Sequence, residues 1–199
     1  MAKWLVVGLG NPGQSYAGHR HNIGAMVVEE LARRDRATWR TDRLLRADLA
    51  QIRIGPSGTG AVGADLERVE WARCRTYMND SGAPVKAVLG QAKLSPAHLV
   101  VVHDELDLTL GQLRVKFGGG DNGHNGLKSI RGRLGQGDYY RVRCGVGRPD
   151  GRIDVIDWVL SDFSRDQLAD RDDLVVRAAD AVEALVTQGL DATQQRFNS

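Results

Sequence analysis

The chain has 199 residues, of which 42% are hydrophobic and 6% aromatic, and its formal net charge is +2. This length and apolar content suffice for one domain with a full-sized core, and no apolar run approaches the roughly 20 residues of a membrane span. The two cysteines, Cys74 and Cys144, are too few for a metal tetrad, and we expect both to be small, buried and reduced. The amino terminus lacks a signal-peptide pattern, which predicts a cytoplasmic protein.

The charged residues are unevenly distributed along the chain. Residues 111–148 carry eight Lys or Arg against two Asp or Glu, whereas residues 149–199 carry five against eleven. A basic segment beside an acidic tail is typical of proteins that bind a polyanion. A solvated basic surface without a partner is equally compatible with the charge pattern alone.

The first half of the chain predicts alternating strands and helices. "KWLVVGLG" predicts a buried strand, and "NIGAMVVEELARR" predicts a helix with Asn22 as its N-cap. "RADLAQIRIG" and "RVEWARC" predict two paired strands that flank a glycine-rich turn at residues 55–63. "NDSGAPVKAVLGQAK" predicts a helix with Pro84 in its first turn and an end near Lys93.

The second half continues this alternation. "AHLVVVHDELDL" has a continuous apolar run, which predicts a strand buried on both faces. "GQLRVKFGGG" and "YYRVRCGVG" predict further strands, "NGLKSIRGRLG" a short helix closed by glycine, and "DQLADRDDLVVRAADAVEALVTQG" a long amphipathic helix. This order predicts one α/β domain, spanning residues 1–199, whose sheet is covered by helices on both faces.

Residues 8–13, Gly-Leu-Gly-Asn-Pro-Gly, match the G-x-G-x-x-G pattern of dinucleotide-binding loops. Such a loop needs its third glycine at the start of a helix, whereas no apolar helical stripe appears between Gly13 and Ile23. Pro12 also keeps Asn11 extended, and the acidic residues about 20 positions later fall within or just past the first predicted helix. We therefore reject a nucleotide cofactor and interpret the segment as a strand-end loop that presents polar groups.

Three further segments place polar residues beside glycine or at a strand end: "TYMNDSG", "HDELD" and "GGGDNGHNG". Because sites form at the carboxyl ends of strands in open α/β sheets, we expect these side chains to meet there: Asn11, His21, Asn79, Asp104 and Asn125. A neutral histidine can take a proton from water when a carboxylate fixes its tautomer. Asparagine amides can donate to a carbonyl or an oxyanion. No serine or cysteine occupies a G-x-S-x-G context, so water is the expected nucleophile.

A metal site is the alternative interpretation of the polar cluster. His21, His103, Asp104 and His124 are all potential ligands, but none of them has the H-x-x-x-H or C-x-x-C spacing that metal sites favour. We therefore expect no metal.

The motifs "GLGNPG…Y…RHN", "TYMN-SG", "HDELDL-G", "GGGxxGHNGLKSI" and "RVRCGVGRP" together resemble the bacterial peptidyl-tRNA hydrolase family, from about residue 3 to about residue 160. Members of that family cleave the ester that joins a peptide to the 3′ ribose of tRNA and so release tRNA from stalled translation. The resemblance implies a single α/β domain around a twisted mixed sheet with helices on both faces. It also implies action without a metal or organic cofactor, and we expect a monomer without an obligate protein partner.

The resemblance also implies roles for individual residues. His21 matches the catalytic base and Asp104 its partner, Asn11 matches the asparagine that recognises the blocked amino group, and Asn79 or Asn11 polarises the ester carbonyl. The residues that match contacts to the tRNA end or the peptide are Tyr16, Tyr77, Met78, Asn79 and Asn125. Lys116 and Arg143, inside the basic segment, match residues that bind tRNA phosphates.

Three positions depart from the family pattern. Asp80 follows Asn79 where the family has an apolar residue, Cys74 stands where proline is common, and Asp121 places an acid beside the expected RNA surface. Two other functions compete with hydrolysis: RNA binding without catalysis, and a nucleotide- or metal-dependent reaction. Asn79 and Asn125 could also be simple turn formers, and we expect Glu105 and Asp107 to be solvated or to cap turns.

Overall fold

The structure, a computed structural model, describes residues 3–55, 58–59 and 66–198. Its strands are β1 (Trp4–Gly8), β2 (Arg40–Asp42), β3 (Ala47–Gly55), β4 (Gly58–Thr59), β5 (Glu67–Cys74), β6 (Leu99–Glu105), β7 (Leu113–Phe117) and β8 (Tyr140–Gly145). Its helices are α1 (Ile23–Arg34), α2 (Gly82–Ala92), α3 (Asn125–Leu134), α4 (Val155–Val159), α5 (Leu168–Gln188) and α6 (Leu190–Phe197). None of the described helices combines the length and the apolar character that crossing a membrane requires.

All the strands belong to one mixed sheet. Their order is β2-β3-β5-β1-β6-β8-β7, and β4 pairs with β3 outside this path. The four central strands β5, β1, β6 and β8 are parallel, and the outer pairings are antiparallel. The carboxyl ends of the four parallel strands therefore meet at one edge, which we call the carboxyl edge. The predicted mixed sheet is confirmed.

Helices cover both faces of the sheet, as predicted. Because side chains alternate along a strand, Val6 of β1 packs in one core with residues of α1 and α5. Its neighbours Leu5 and Val7 pack in a second core with residues of α2 and α3. Strand β6 is buried along its whole length, as its continuous apolar run predicts.

Most of the predicted elements are present, including the pairing of β3 with β5. Most of the predicted turn at residues 55–63 lies outside the described residues. Strand β2 and helices α4 and α6 were not predicted, because their three to eight residues are too few for a clear period. Cys74 and Cys144 are buried and unbridged, as expected.

A close approach of helix α1 to the sheet sets the position of the loop before it. A Cβ added to Gly24 would lie only 2.1 Å from the carbonyl oxygen of Val102, and one added to Gly8 only 2.1 Å from the carbonyl oxygen of Gly24. These glycines therefore let α1 begin directly on the ends of β1 and β6, rather than cradling a phosphate. The residues just before α1 consequently lie above the carboxyl end of β6.

Candidate active site

His21 and Asp104, separated by 83 positions in the chain, are hydrogen-bonded at the carboxyl edge. Asp104 is the penultimate residue of β6, and His21 lies in the 3-10 turn Arg20–Asn22 that leads into α1. His21 Nδ1 lies 3.0 Å from Asp104 Oδ1 and 2.9 Å from Oδ2. The structure therefore brings together the two residues that the sequence analysis paired.

The surroundings of this pair keep the carboxylate ionised. Burial by itself would raise the pKa of Asp104, but the adjacent His124 and His21 outweigh it and hold the pKa far below its usual range. Burial likewise would lower the pKa of His21, yet the charge and hydrogen bond of Asp104 leave that pKa above its ordinary value of 6.5. Neutral His21 therefore donates its Nδ1–H to Asp104 and keeps the lone pair on Nε2.

A second histidine binds the same carboxylate. His124 Nε2 lies 2.8 Å from Asp104 Oδ1. At the other side of the ring, Nδ1 accepts hydrogen bonds from the backbone N–H groups of Gly126 at 3.1 Å and Leu127 at 3.3 Å, because His124 is the N-cap of α3. The sequence analysis considered His124 only as a possible metal ligand. Its position directly before a predicted helix was the signal that it caps that helix.

The three side chains also have donor atoms close enough together to suggest a cation site. The ligand atoms of His21, Asp104 and His124 all lie within 4.8 Å of one another. A histidine that binds a metal through one nitrogen normally donates a proton from the other, whereas Nδ1 of His124 faces two backbone donors. A metal on its Nε2 would need either a doubly deprotonated ring or a lost helix cap. The donor chemistry thus disfavours a metal, and its absence stays a prediction.

Asn11 is held by hydrogen bonds to Met78 and Asn22 that leave its NH2 group available to a ligand. Its Oδ1 accepts the backbone N–H of Met78 at 2.7 Å, and its own backbone N–H and C=O pair with the side chain of Asn22 at 3.0 and 2.9 Å. Within the described part of the chain, Asn11 Nδ2 has no hydrogen-bond partner. Asn22 occupies the N-cap position of α1, but its predicted capping is wrong, since its amide serves the Asn11 loop instead.

A crevice of about 190 Å³ opens beside His21. It is lined by Asn11, His21, Tyr77, Met78, Asn79, Asn125, Ile156, Val159 and Leu160. The residues predicted to contact the tRNA end or the peptide, other than Tyr16, therefore converge here. Tyr16 lies next to the crevice, where its ring packs against that of Tyr77 at 6.0 Å between centroids. The sequence analysis missed the apolar wall from α4, because that helix was not predicted.

A smaller pocket of about 80 Å³ lies on the other side of His21 and contains Asp104, Asn122 and His124. It shares His21, Asn125, Ile156 and Val159 with the crevice. Helix α3 packs closely against Met78, which lines the crevice. A Cβ added to Gly126 in the first turn of α3 would lie only 2.6 Å from Met78 Sδ. This contact positions Asn125 at the junction of the two pockets.

A third cavity, which we call the cationic pocket, measures about 340 Å³. Its charged lining residues are the basic Lys116, Arg141 and Arg143 and the acidic Glu105 and Asp107. Glu105 lines both this pocket and the small one. Arg143 binds Glu105 Oε2 at 3.0 Å. Burial and then the neighbouring Arg143 and Arg141 lower the pKa of Lys116. The predicted phosphate-binding residues therefore face one cavity.

The expectation for Glu105 is correct only in part. Its Oε1 accepts the backbone N–H of Asp107 at 3.1 Å, which is the predicted turn-capping contact. It is not solvated, however, because its side chain is only 6% exposed and pairs with Arg143. The burial results from its position at the end of the central strand β6.

The three departures from the family pattern have local partners. Asp80 lies 3.0 Å from Arg46 and 3.6 Å from Arg133. Asp121 lies 3.8 Å from Arg131, and its carbonyl accepts the backbone N–H of His124. Cys74 is buried, which raises the pKa of its thiol to about 12.

Comparisons with known proteins agree with the motifs. The sequence profile of the family described as peptidyl-tRNA hydrolase matches residues 5–199. The peptidyl-tRNA hydrolase of Cutibacterium acnes is 53% identical to this chain, over 98% of this chain and 98% of that protein. The peptidyl-tRNA hydrolase of Streptomyces coelicolor is 50% identical, over 100% of this chain and 96% of that protein. The crystal structure of peptidyl-tRNA hydrolase from Acinetobacter baumannii superposes with a TM-score of 0.87 at 30% identity, covering 100% of this chain and 97% of that one. The resemblance is confirmed, and with it the assignment to the hydrolases: the chain belongs to the peptidyl-tRNA hydrolase family.

Proposed function

We propose that this chain hydrolyses the ester bond between a peptide and the 3′ ribose of tRNA, and so recycles tRNA from stalled or aborted translation. The observation that carries this proposal is the buried His21–Asp104 pair, which lies where the crevice and the small pocket meet. The ester would lie over His21, with the peptide in the crevice and the nucleotide directed toward the cationic pocket.

In the proposed reaction, neutral His21 takes a proton from a water molecule through Nε2 as the water oxygen attacks the ester carbonyl. Asp104 accepts the Nδ1–H of His21 and stabilises the imidazolium that forms. As the tetrahedral intermediate collapses, the bond to the ribose 3′ oxygen breaks, and that oxygen takes the proton from His21. The ring then returns to its neutral form.

The asparagines of the crevice supply the neutral donors. Asn11 presents its NH2 group to a ligand, because its Oδ1 faces the backbone N–H of Met78. A donor attracts the carbonyl of an acylated amino group but repels a free ammonium, which favours peptidyl-tRNA over aminoacyl-tRNA. Asn79, exposed at the same crevice, is free to donate to the ester carbonyl as negative charge develops there.

The cationic pocket supports the proposed binding of tRNA phosphates. Arg143 is partly neutralised by Glu105, but Lys116 has neither an ion pair nor a hydrogen bond among the described residues. Its lowered pKa, caused by burial and by the two arginines, means that an incoming phosphate would relieve unfavourable charge. Phosphate contacts of this kind position a folded nucleic acid without reading its sequence.

We further propose that the chain acts in the cytoplasm as a monomer, as a single domain over residues 1–199, and without a metal or organic cofactor. A monomer should elute from gel filtration at the volume expected for its 21.7 kDa. Elemental analysis of active protein should find less than one metal ion for each chain.

The central test measures release of N-acetyl-aminoacyl groups from tRNA by the wild type and by His21→Ala. We expect the turnover number to fall by about 10²–10⁴, the usual contribution of a general base. The matched control is His98→Ala, at an exposed histidine outside the site, which should behave as wild type. If His21→Ala kept near wild-type turnover, the mechanism would be wrong. Tight binding of tRNA without hydrolysis by the wild type would instead favour an RNA-binding function.

A further inference from the structure

His124 is bound at both ring nitrogens, and the two bonds determine its tautomer. The backbone N–H groups of Gly126 and Leu127 can only donate, so the Nδ1 atom that receives them carries no proton. A neutral ring must then carry its proton on Nε2, which faces Asp104 Oδ1 at 2.8 Å. The N-terminus of α3 thus orients a neutral N–H donor toward the catalytic carboxylate.

This donor shares the carboxylate of Asp104 with the base. His21 Nδ1 lies 3.0 Å from Oδ1, the atom that His124 binds, and 2.9 Å from Oδ2, and the two imidazole centroids lie 4.8 Å apart. A hydrogen bond to a carboxylate withdraws part of its charge. The remaining charge attracts the imidazolium form of His21 less strongly than an undivided carboxylate would.

We propose that His124 is a positioning residue for the reaction: its Nε2–H bond to Asp104 weakens the hold of Asp104 on the proton of His21, so that His21 is a free base at lower pH. This inference rests on the proposed function, in which His21 is the base. It adds a link between helix α3 and the chemistry, since the residue that caps α3 also sets the strength of the base.

The other titratable groups around these three side chains do not provide this control. Burial, followed by the proximity of His124, lowers the pKa of His103 to about 3, so His103 is neutral. Burial raises the pKa of the Cys144 thiol on β8, which therefore also stays neutral. The carboxylates that line the small pocket are each paired with an arginine: Glu105 with Arg143, and Asp121 with Arg131.

Two substitutions separate capping from positioning. In His124→Asn, the new amide oxygen takes the place of Nδ1, and asparagine is among the best N-caps, so the cap is kept and the bond to Asp104 is lost. In His124→Gln, the new amide nitrogen takes the place of Nε2, so a donor to Asp104 is kept and the cap is lost. The control is His98→Asn, the same change at an exposed histidine.

The measurement is the pH profile of kcat for hydrolysis of N-acetyl-aminoacyl-tRNA, together with thermal unfolding. For His124→Asn we expect the acidic limb to move up by about one pH unit. Turnover on that limb then falls about tenfold, while the plateau at high pH and the melting temperature stay near wild type. For His124→Gln we expect a lower melting temperature and an acidic limb close to that of wild type.

Several outcomes would overturn this inference. One is a kcat of His124→Asn that is reduced by the same factor at every pH, since a purely structural role predicts that pattern. Another is an acidic limb of the pH profile that moves as far in His124→Gln as in His124→Asn. Nitrogen NMR of the wild type provides a test without variants: finding the proton of His124 on Nδ1, or on both nitrogens near neutral pH, would also refute it. Failure of the proposed function is distinguishable, because it would appear as an active His21→Ala.

Discussion

The His21–Asp104–His124 cluster lies at the carboxyl edge of the sheet, whereas the cationic pocket extends from that edge to Lys116 and Arg141, which pair near the amino end of β8. The two sites place their charges in opposite environments. In the cluster, the carboxylate of Asp104, whose side chain is only 2% exposed, accepts hydrogen bonds from His21 and His124, whose side chains are 10% and 8% exposed. In the cationic pocket, three basic side chains and two acidic ones line a cavity of about 340 Å³; Glu105 pairs with Arg143, whereas Asp107 pairs with Arg148.

In the proposed mechanism, this difference separates proton transfer from substrate binding. Interactions between buried groups are weakly screened by salt, whereas those of solvent-accessible charges fall with ionic strength. We therefore expect pH to act mainly on kcat through the cluster. Salt should act mainly on KM through the cationic pocket. The following predictions test this division.

The largest effect is expected from Asp104→Asn. His124 donates to Oδ1, so the amide oxygen of the new side chain should face His124 and its NH2 group should face His21. His21 would then have to accept at Nδ1 and carry its proton on Nε2, which removes the base. We expect kcat to fall by about 10²–10⁴, as for His21→Ala.

The assay is single-turnover hydrolysis of N-acetyl-aminoacyl-tRNA at saturating enzyme. The matched control is Asp180→Asn on α5, where the carboxylate pairs with Arg34 far from the site. Because both substitutions remove one negative charge, a similar loss in both variants would attribute the effect to net charge rather than to the tautomer of His21.

A smaller effect, on KM, is expected from Lys116→Ala. Loss of one charge-assisted contact of about 1.5 kcal/mol should raise KM by about tenfold and leave kcat near wild type. The slope of log KM against log salt concentration should decrease by roughly one, because one phosphate contact is lost.

The control for this experiment is Lys3→Ala, which removes a lysine at the opposite edge of the sheet, where Lys3 pairs with Glu67. It should leave both KM and its salt dependence unchanged. If Lys116→Ala lowered kcat instead, or left the salt slope untouched, the cationic pocket would have no separate role in binding.

The smallest expected effect is a shift in the wild type, in the midpoint of the pH dependence of kcat. Because Asp104 raises the pKa of His21 and the base must be deprotonated, kcat should rise with pH through a midpoint above the usual value of about 6.5 for histidine. The position of the midpoint should change little between low and high salt, since the pair is buried. A midpoint below the usual value would contradict the arrangement of His21 and Asp104.

Local patterns were sufficient to predict several features of this protein. The apolar runs of β1 and β6 predict buried strands, because successive side chains point to opposite faces and both faces are therefore apolar. The segments that hold His21 and Asp104 predict that the two side chains meet, because both place polar groups at the carboxyl edge of the sheet. The convergence of Asn11, Asn79 and Asn125 likewise follows from their positions after strands or before a helix.

Only the tertiary structure determined how polar side chains divide their hydrogen bonds. Asn22 stands where an N-cap is expected but binds Asn11, and Glu105 looks like a surface acid but is buried against Arg143. His124 caps α3 with one nitrogen and binds Asp104 with the other. A sequence pattern gives the capacity of a polar group to donate or accept, whereas its partner depends on which distant segments pack within about 3 Å.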